Sequence, residues 1–492
     1  MKKVLLGIKE SVIEPLGLIY LSEVARQEEY VPKIVTIKDN NFGEFDKEVE
    51  SFKPDLIGFS VFTGSHLPIL DYLKDFRKIN NGLEVILGGS HATFFPEQLK
   101  DYADYVVVSE GFNPFRRILR GEAEKGIVYP KVKEEFPVPD RELFYEQNKR
   151  FKESKIKSII TSTGCPFKCS YCYNSVEVDS LKDVLDEKEL DEFKVVAGNS
   201  KRLFLRNRRS VDNVVKEALN ILETSPTELI YFQDDVFADN IEWLREFKLK
   251  YSKLNLPYHA HMRFENSNPN IDKNKERLNL LRESGCTGLT FGIETSDEII
   301  REEVLNRRMS NKIIFNSMYY LNELGFKVRT FNMLGLPFGA TSKPTKINLE
   351  SDLDTLKFNI KLREKTGLPT MAWASILTPY LGTEMGDYCI NHGFYSGTND
   401  DLPESFFDRS RLNFVNNWVG EGLNPKSNEW MNKEEQILYH KRLKSLQELF
   451  TTFALIPKGD ILVKDYLNKE SSFDELSKSV KTHLYDEVLY KD

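Results

Sequence analysis

The sequence predicts an α/β chain: a doubly wound, Rossmann-like parallel sheet, then a full or partial β/α barrel, then a mainly helical carboxyl-terminal region. Three observations predict it. Short apolar runs alternate with helix-like stretches over residues 1–125. The same alternation resumes near Lys157 and continues to about residue 376. Beyond residue 385 the strand signals fade and apolar residues take helical spacing.

In the first segment Val4–Ile8, Lys33–Ile37, Asp55–Phe59, Glu84–Leu87 and Tyr105–Val108 read as strands, with helices over Gly17–Arg26, Pro68–Arg77 and Pro114–Arg120. Strands alternating with helices imply a parallel sheet covered on both faces. Ligands of such sheets sit beyond the carboxyl ends of the strands. The loops of interest therefore follow Ile8 and Phe59 and include Gly88-Gly89-Ser90-His91 and Ser109-Glu110-Gly111. Residues 126–155, charged and holding Pro130, Pro137 and Pro139, read as a linker.

The second segment, residues 156–385, offers strands at Ser158–Thr161, Glu228–Phe232, Tyr258–Met262, Gly288–Phe291, Lys327–Met333 and Met371–Leu377. Helices are expected between them at Asp212–Leu222, Ile241–Tyr251, Lys275–Glu283, Lys312–Leu324 and Glu350–Lys365. A β/α barrel places its chemistry at the carboxyl ends of such strands. Within residues 386–492, helices are expected over 433–455 and 461–485, and Ser405–Trp418 reads either as core packing or as a cover over the barrel mouth.

Composition sets the outer bounds. The 492 residues suggest about three domains at about 150 residues each. Hydrophobic residues make up 40% and charged residues 29%, a globular balance. Sixty-eight Lys and Arg against 76 Asp and Glu leave a net charge of −8, which argues against a nucleic-acid partner held by a basic surface. No apolar run approaches the ~18 residues that span a bilayer, and the apolar start is too short for a signal peptide. The expectation is a soluble, cytoplasmic protein.

Five cysteines cannot frame a chain of this length with disulfides. Three of them, Cys165, Cys169 and Cys172, lie within eight residues, directly after the first strand of the second segment. Thiolates suit iron–sulfur clusters and zinc. Structural zinc usually takes four protein ligands, and no fourth Cys or His lies nearby. Three thiolates would fill three corners of a [4Fe–4S] cube and leave one iron for a small molecule. Cys286 and Cys389 stand alone and read as buried small hydrophobes.

The C-x3-C-x2-C run, with aromatic Tyr171 before its last Cys, resembles the radical S-adenosylmethionine (SAM) superfamily. The resemblance implies a [4Fe–4S] cluster on Cys165, Cys169 and Cys172, with SAM chelated to the open iron beside Tyr171. It also implies electron transfer that cleaves SAM to a 5′-deoxyadenosyl radical. Tyr231-Phe232-Gln233-Asp234-Asp235-Val236-Phe237 resembles the F-x-DD-x-F signature of members that carry a cobalamin domain. Gln233, Asp234 and Asp235 then belong to a polar patch near the SAM amino group, the two aspartates being interchangeable candidates. Without the cluster, such aspartates would read as a helix cap before Asn240.

Phe291-Gly292-Ile293-Glu294-Thr295 and Asn306-Arg307-Arg308-Met309-Ser310 are similar to the family's G-I-E-S and R-x-x-T stretches. They make Glu294 a ligand for the SAM ribose or amino group, and Arg307 or Arg308 a partner of its carboxylate, a task suited to guanidinium. The alternative for either arginine is a surface network with Glu302 and Glu303. Gly335-Leu336-Pro337 and Thr378–Thr383 match late barrel loops of the same subset and shape backbone.

The first segment then resembles the cobalamin-binding domain fused to many of these enzymes. Pro15, Leu16, Gly17, Ser60, Gly88, Gly89, Ser90, His91, Glu110 and Gly111 are the implied cobalamin contacts. Glycines at strand ends let a macrocycle and its nucleotide tail approach the backbone. The D-x-H-x-x-G loop that gives cobalt a histidine elsewhere is absent, and His66 and His91 are either corrin neighbours or structural. His259 and His261 share one strand face, pointing to substrate or to packing. Lys361, Glu364 and Lys365 read as a solvated helix face.

Taken with the resemblance, the sequence implies a cobalamin-dependent radical SAM enzyme that methylates an unactivated carbon, with the [4Fe–4S] cluster, SAM and cobalamin as cofactors. Alternatives are oxidative cyclisation or ring rearrangement without net methylation, and a radical SAM enzyme or regulator whose first domain no longer binds cobalamin. The tRNA methylthiotransferases share the barrel motifs but carry three further cysteines before them, and here none precedes Cys165. The expected partners are a small-molecule, peptide or lipid-like substrate and a low-potential electron donor of flavodoxin or ferredoxin type.

Overall fold

The computed structural model describes residues 1–80, 82–337, 349–403, 405, 407–415 and 432–469. The chain forms two compact units. The first comprises Met1–His261, Leu280–Cys286 and Thr398–Glu404; the second comprises Met262–Asn279, Thr287–Gly397 and Ser405–Asp492.

The first unit opens with β1 (Lys3–Lys9), β2 (Val31–Ile37), β3 (Leu56–Ser60), β4 (Glu84–Gly88), β5 (Tyr105–Val107) and β6 (Gly126–Val128). They pair in parallel in the order β2-β1-β3-β4-β5-β6. Alternation along β1 shows why the sheet is covered twice. Val4, Leu6 and Ile8 join an apolar cluster with the helices Leu16–Gln27 and Phe112–Leu119. Leu5 faces the other cluster, under the helices Gly43–Phe52 and His66–Ile79. Each such buried side chain contributes about 1.5–3 kcal/mol. Strand order reverses between β1 and β3, the position at which such sheets open a ligand crevice.

Strand β6 lies inside the stretch expected to be a linker. Its three residues complete the sheet edge, and the helices Arg141–Gln147 and Lys149–Glu153 follow, burying Arg141, Tyr145 and Phe151. The charge and prolines of this stretch concealed a packed segment.

The same unit continues with β7 (Ile156–Ile159), the ribbon strands β8 (Ser162–Thr163) and β9 (Asn207–Arg208), then β10 (Leu229–Phe232) and β11 (Tyr258–Met262). Strand β10 pairs in parallel with both β7 and β11. Ile230, Phe232, Tyr258, Ala260 and Met262 are buried, and Phe232 and Tyr258 pack on Phe247 and Tyr251 of the helix Ile241–Tyr251. Tyr231, Gln233, His259 and His261 alternate with them and are half-buried. Between β8 and β9, Val178, Leu181, Phe193 and Leu203 build a small core around the helix Glu187–Ala197.

The second unit holds β12 (Cys286–Glu294), β13 (Lys327–Leu334) and β14 (Met371–Ile376), with β13 parallel to both neighbours. Asn359, on the helix Glu350–Thr366, accepts from Thr330 Oγ1 (2.7 Å) and donates to Asn332 Oδ1 (2.9 Å). That bridge satisfies two polar side chains on the buried face of β13. Lys361, Glu364 and Lys365 lie on the exposed side of this helix, as expected. The helix Lys433–Phe453 starts from a capping box of Asn432 and Glu435, and Gly459–Lys469 follows. The rest of the helix expected to reach 485 lies outside the described residues, as does Trp418. Cys286 and Cys389 are fully buried. The fold is therefore α/β, with six barrel-type strands among the described residues. No helix among the described residues is long and apolar enough to cross a membrane.

Candidate active site

The cysteine loop grows from a short, heavily pinned stem. Asp234, buried at the end of β10, accepts from Thr161 N (2.9 Å), Thr161 Oγ1 (2.5 Å) and Ser162 Oγ (2.8 Å). Thr163 pairs with Asn207 across the ribbon and donates to Leu205 O at 2.9 Å. Cys165, Cys169 and Cys172 follow, and Cys172 N donates to Cys169 O at 3.1 Å. Tyr171 is half-buried in the same loop. Burial pushes the Cys172 thiol up to about 12, with Asp235 and the other two cysteines adding to it. A bare Cys172 thiolate is disfavoured there, and a bound metal centre inverts that balance. Three sulfur donors on one loop fit a [4Fe–4S] cluster with an open iron.

The two aspartates are not interchangeable. Asp234 spends both oxygens on the loop stem, whereas Asp235 reaches solvent while ringed by protein atoms. That crowding raises its carboxyl to about 6; Asn174 opposes the shift and Asp234 adds to it. Gln233 donates to Ser158 Oγ at 3.3 Å, and Asn240, not the aspartates, caps the following helix. On the same sheet face Tyr231 OH lies 2.8 Å from His261 Nε2, with His259 beside it in register.

In the second unit, β12 shifts register between Gly292 and Glu294, and Glu294 takes φ +67°. Arg307 donates to Gly292 O (2.6 Å) and pairs with Glu294 Oε1 (3.2 Å). A Cβ on Gly292 would collide with Glu294 Oε1, so the pair depends on the space this glycine leaves. Arg307 is buried, while Arg308, Glu302 and Glu303 are exposed. The alternative reading, a surface network with Glu302 and Glu303, therefore does not describe the buried Arg307.

At the carboxyl ends of the first sheet lies an apolar cavity of about 230 Å³. Leu16, Gly17, Ser60, Gly88, Gly89, Glu110 and Gly111 line it; Pro15, Ser90 and His91 do not. Its far wall is Ile160, Thr163, Phe204 and Leu205, the stem of the cysteine loop. Gly89, at φ +98°, would place a Cβ 2.8 Å from Val61 O and 2.9 Å from Val61 N, so backbone itself forms this edge. Ser109, at φ +67°, lines the cavity, and its buried hydroxyl has no hydrogen-bond partner among the described residues. A strained residue presenting an orphaned donor fits a ligand-binding role. The space suits a nucleotide tail and is too small for a whole corrin.

His91 is sealed elsewhere. Its ring stacks on His66 at 3.9 Å, its Nδ1 lies 3.1 Å from Thr63 Oγ1, and burial followed by His66 pushes it down to about 3. This neutral, packed ring fits a structural role. Next to it, Phe94 stacks on Tyr173 just past the cysteine loop, at 3.9 Å.

Sequence reasoning missed the charges buried behind this wall. Glu217 takes Arg141 at 2.5 Å on one oxygen and Arg209 at 2.5 Å on the other. Arg141 reaches Glu14 at 3.4 Å, and Glu14 accepts from Ser158 N. Burial opposes ionisation of Glu217, but the two guanidiniums hold its carboxyl below the usual range. Glu14, Arg141 and Glu217 are distant in sequence, and no motif marks the Arg209–Glu217 pair. Asn207 was also missed; Ser109 lay in the marked Ser109-Glu110-Gly111 loop but was not among the implied cobalamin contacts.

A three-thiol loop at the ends of barrel strands, walled against a cofactor cavity in a doubly wound domain, defines a class of cluster-bearing radical enzymes. Comparison with known proteins gives the family: the Radical SAM superfamily model matches residues 159–339 and the B12 binding domain model matches residues 2–119. The chain belongs to the radical SAM enzymes that carry a B12-binding domain, and its cofactors are a [4Fe–4S] cluster, SAM and cobalamin. It is 25% identical over 403 residues to an uncharacterized methyltransferase, PH0819, of Pyrococcus horikoshii, covering 76% of this chain and 78% of that protein. It is 21% identical over 482 residues to the cytidylyl-2-hydroxyethylphosphonate methyltransferase of Streptomyces wedmorensis, covering 83% and 84%. Its fold is shared with the radical SAM methyltransferase TsrM of Kitasatospora setae, at TM-score 0.55 and 15% identity over 80% of this chain and 79% of that one.

Proposed function

We propose that the protein is a C-methyltransferase, which activates an unreactive substrate carbon by hydrogen abstraction and places a methyl group on it. One observation carries this reading: Thr163, two residues before Cys165, lines the same cavity as Glu110 and Gly111 of the first domain. A methyl-donor site and a radical-generating site that share a wall can address one substrate. The methyltransferase relatives, aligned over most of both chains, support it.

In this reading Cys165, Cys169 and Cys172 hold the cluster. Tyr171, Gln233, Asp235, Glu294 and Arg307 hold SAM, and Asp234 positions the loop. Leu16, Gly17, Ser60, Gly88, Gly89, Ser109, Glu110 and Gly111 hold the cobalamin tail. When bound, the cluster with SAM supplies the radical and cobalamin supplies the methyl group. The chain's own work is placement. Asp235, with its carboxyl near 6, stays largely ionised at neutral pH and accepts from the SAM ammonium. Arg307, oriented by Glu294 and Gly292 O, offers its fork to the SAM carboxylate. Tyr231 and His261 hold each other on the face assigned to substrate, with His259 alongside. A flavodoxin- or ferredoxin-type donor supplies the electron, and a cytoplasmic setting keeps the three thiols reduced.

The test needs no substrate. Anaerobic protein with reconstituted iron and sulfide, added hydroxocobalamin, a strong reductant and methyl-labelled SAM should yield 5′-deoxyadenosine together with label in the cobalamin fraction. Formation of 5′-deoxyadenosine with no label moving to cobalamin would refute methyl transfer.

A further inference from the structure

We propose that Ser109 and Glu110 are the polar reader of the first-domain cavity, and that Glu110 acts there as a neutral acid, donating its proton to a ring nitrogen of a heteroaromatic ligand. The proposal rests on the reading of this cavity as the site of the cobalamin tail, and adds how the tail is recognised. That tail ends in a benzimidazole whose imine nitrogen is a hydrogen-bond acceptor whenever it is detached from cobalt.

The geometry begins with isolation. Glu110 is the only carboxyl among the described lining residues, which are otherwise mostly apolar. One of its oxygens is committed. Asn207 Nδ2 donates to Glu110 Oε1 at 2.8 Å and to the Glu134 carbonyl at 2.7 Å. The Glu134 carbonyl can only accept, so the Asn207 amide cannot flip and always presents a donor to Glu110. A proton on Glu110 therefore sits on Oε2. Ser109, one residue earlier, also lines this space, and its buried hydroxyl has no hydrogen-bond partner among the described residues. A ligand that is apolar over its rings and carries an acceptor at one edge matches this arrangement; a carboxylate or phosphate does not.

Burial favours the neutral acid. Burial raises the Glu110 carboxyl to about 7; the Asn207 hydrogen bond opposes this, Glu134 adds to it and Lys133 opposes it. Glu134 itself is engaged by Arg116 at 3.0 Å and Asn113 at 3.1 Å. The remaining titratable lining group, Tyr20, bonds Glu217 at 3.2 Å and Arg209 at 3.1 Å. With the carboxyl near 7, the donor is present below about pH 7 and is lost as pH rises through that value.

The experiment compares cobalamin with cobinamide, which keeps the corrin but lacks the nucleotide, by anaerobic spectrophotometric titration of the full chain between about pH 6 and about pH 8.5. Wild-type affinity for cobalamin should fall by up to about tenfold per pH unit above about pH 7. Glu110→Gln, a donor that does not titrate, should bind tightly with no pH dependence. Glu110→Leu should weaken cobalamin about tenfold or more, and Ser109→Ala by less. Cobinamide affinity should be flat with pH and equal in all variants. A flat wild-type profile, a cobinamide profile with the same slope, or a Glu110→Leu variant that binds like wild type would overturn the proposal. No cobalamin bound by the wild type at any pH would instead overturn the reading of the cavity beneath it.

Discussion

Replacing Asp234 should unseat the cysteine loop, whereas replacing its neighbour Asp235 should leave the loop in place and weaken SAM binding. Asp234→Ala removes the acceptor of one buried backbone N–H and two hydroxyls at the loop stem. At about 1–2 kcal/mol for each of the three groups left unsatisfied, the loss is about 3–6 kcal/mol. For a unit of this size that lowers the melting temperature by about 5–10 °C. Asp234→Asn discriminates further. Its carbonyl can keep the Thr161 N–H, and its amide can donate to the hydroxyls of Thr161 and Ser162, which accept as well as donate. The cost should then drop to about 1 kcal/mol, the lost charge assistance. Asp235→Ala should cost the fold nothing measurable. Its carboxyl is raised to about 6, so above that pH its ionised form opposes folding and its removal relieves a strain. The assays are thermal unfolding, iron per chain after reconstitution, and the SAM-induced change in the cluster EPR signal. An Asp234→Ala variant with wild-type melting and full iron would refute the assignment, as would an Asp235→Ala variant that loses its iron.

Three further outcomes follow from the same geometry. Gly89→Ala must hold an alanine at φ +98° with its Cβ against the backbone of Val61; about 2–4 kcal/mol of destabilisation and loss of retained cobalamin after desalting are expected. Glu217→Gln leaves Arg141 and Arg209 buried without their shared anion, and denaturant unfolding should show a loss of about 3–5 kcal/mol. Arg307→Ala should weaken SAM about tenfold or more, while Arg308→Ala, altering an exposed side chain, should change it less than about twofold by equilibrium titration.

What the sequence reveals is the chemistry that must be local. Three thiolates that share one cluster need close spacing, so Cys165, Cys169 and Cys172 are legible without a structure. Strands buried on both faces, such as Val4–Ile8, are legible as apolar runs. Strand β6 escapes because three residues, Gly126–Val128, sit among charges and prolines. The helix Gly43–Phe52 escapes because only Phe45 on it is fully buried. Asp234 and Asp235 cannot be separated from sequence, since alternation says that they point apart but not which one meets the loop stem. Arg141, Glu14 and Glu217 carry no local signal because Arg141 meets its partners from dozens of residues away, and nothing in the sequence marks Arg209 as the second cation on Glu217.

Those four charges bear on how the two cofactor sites are held. An apolar interface between the first sheet and β7 would be as stable as a buried ion network, and often more so. It would also tolerate sliding, because apolar contact is non-directional. The network does not. Arg141 donates to Ser158 O at 2.8 Å, Glu14 accepts from Ser158 N, and Arg209 donates to Ile160 O at 2.8 Å. Each bond fixes a backbone atom of β7 or the residue after it, and Asp234 then fixes Thr161 and Ser162. From Ser158 to Ser162 the approach to the cluster loop is thus held by directed bonds, on the side where Ile160 and Thr163 wall the cavity. Reactions between separately bound groups lose orders of magnitude for displacements of about 1 Å. A chain that must bring a methyl donor and a radical source to one carbon gains from directional bonds at this place, even where greasier packing would fold as well.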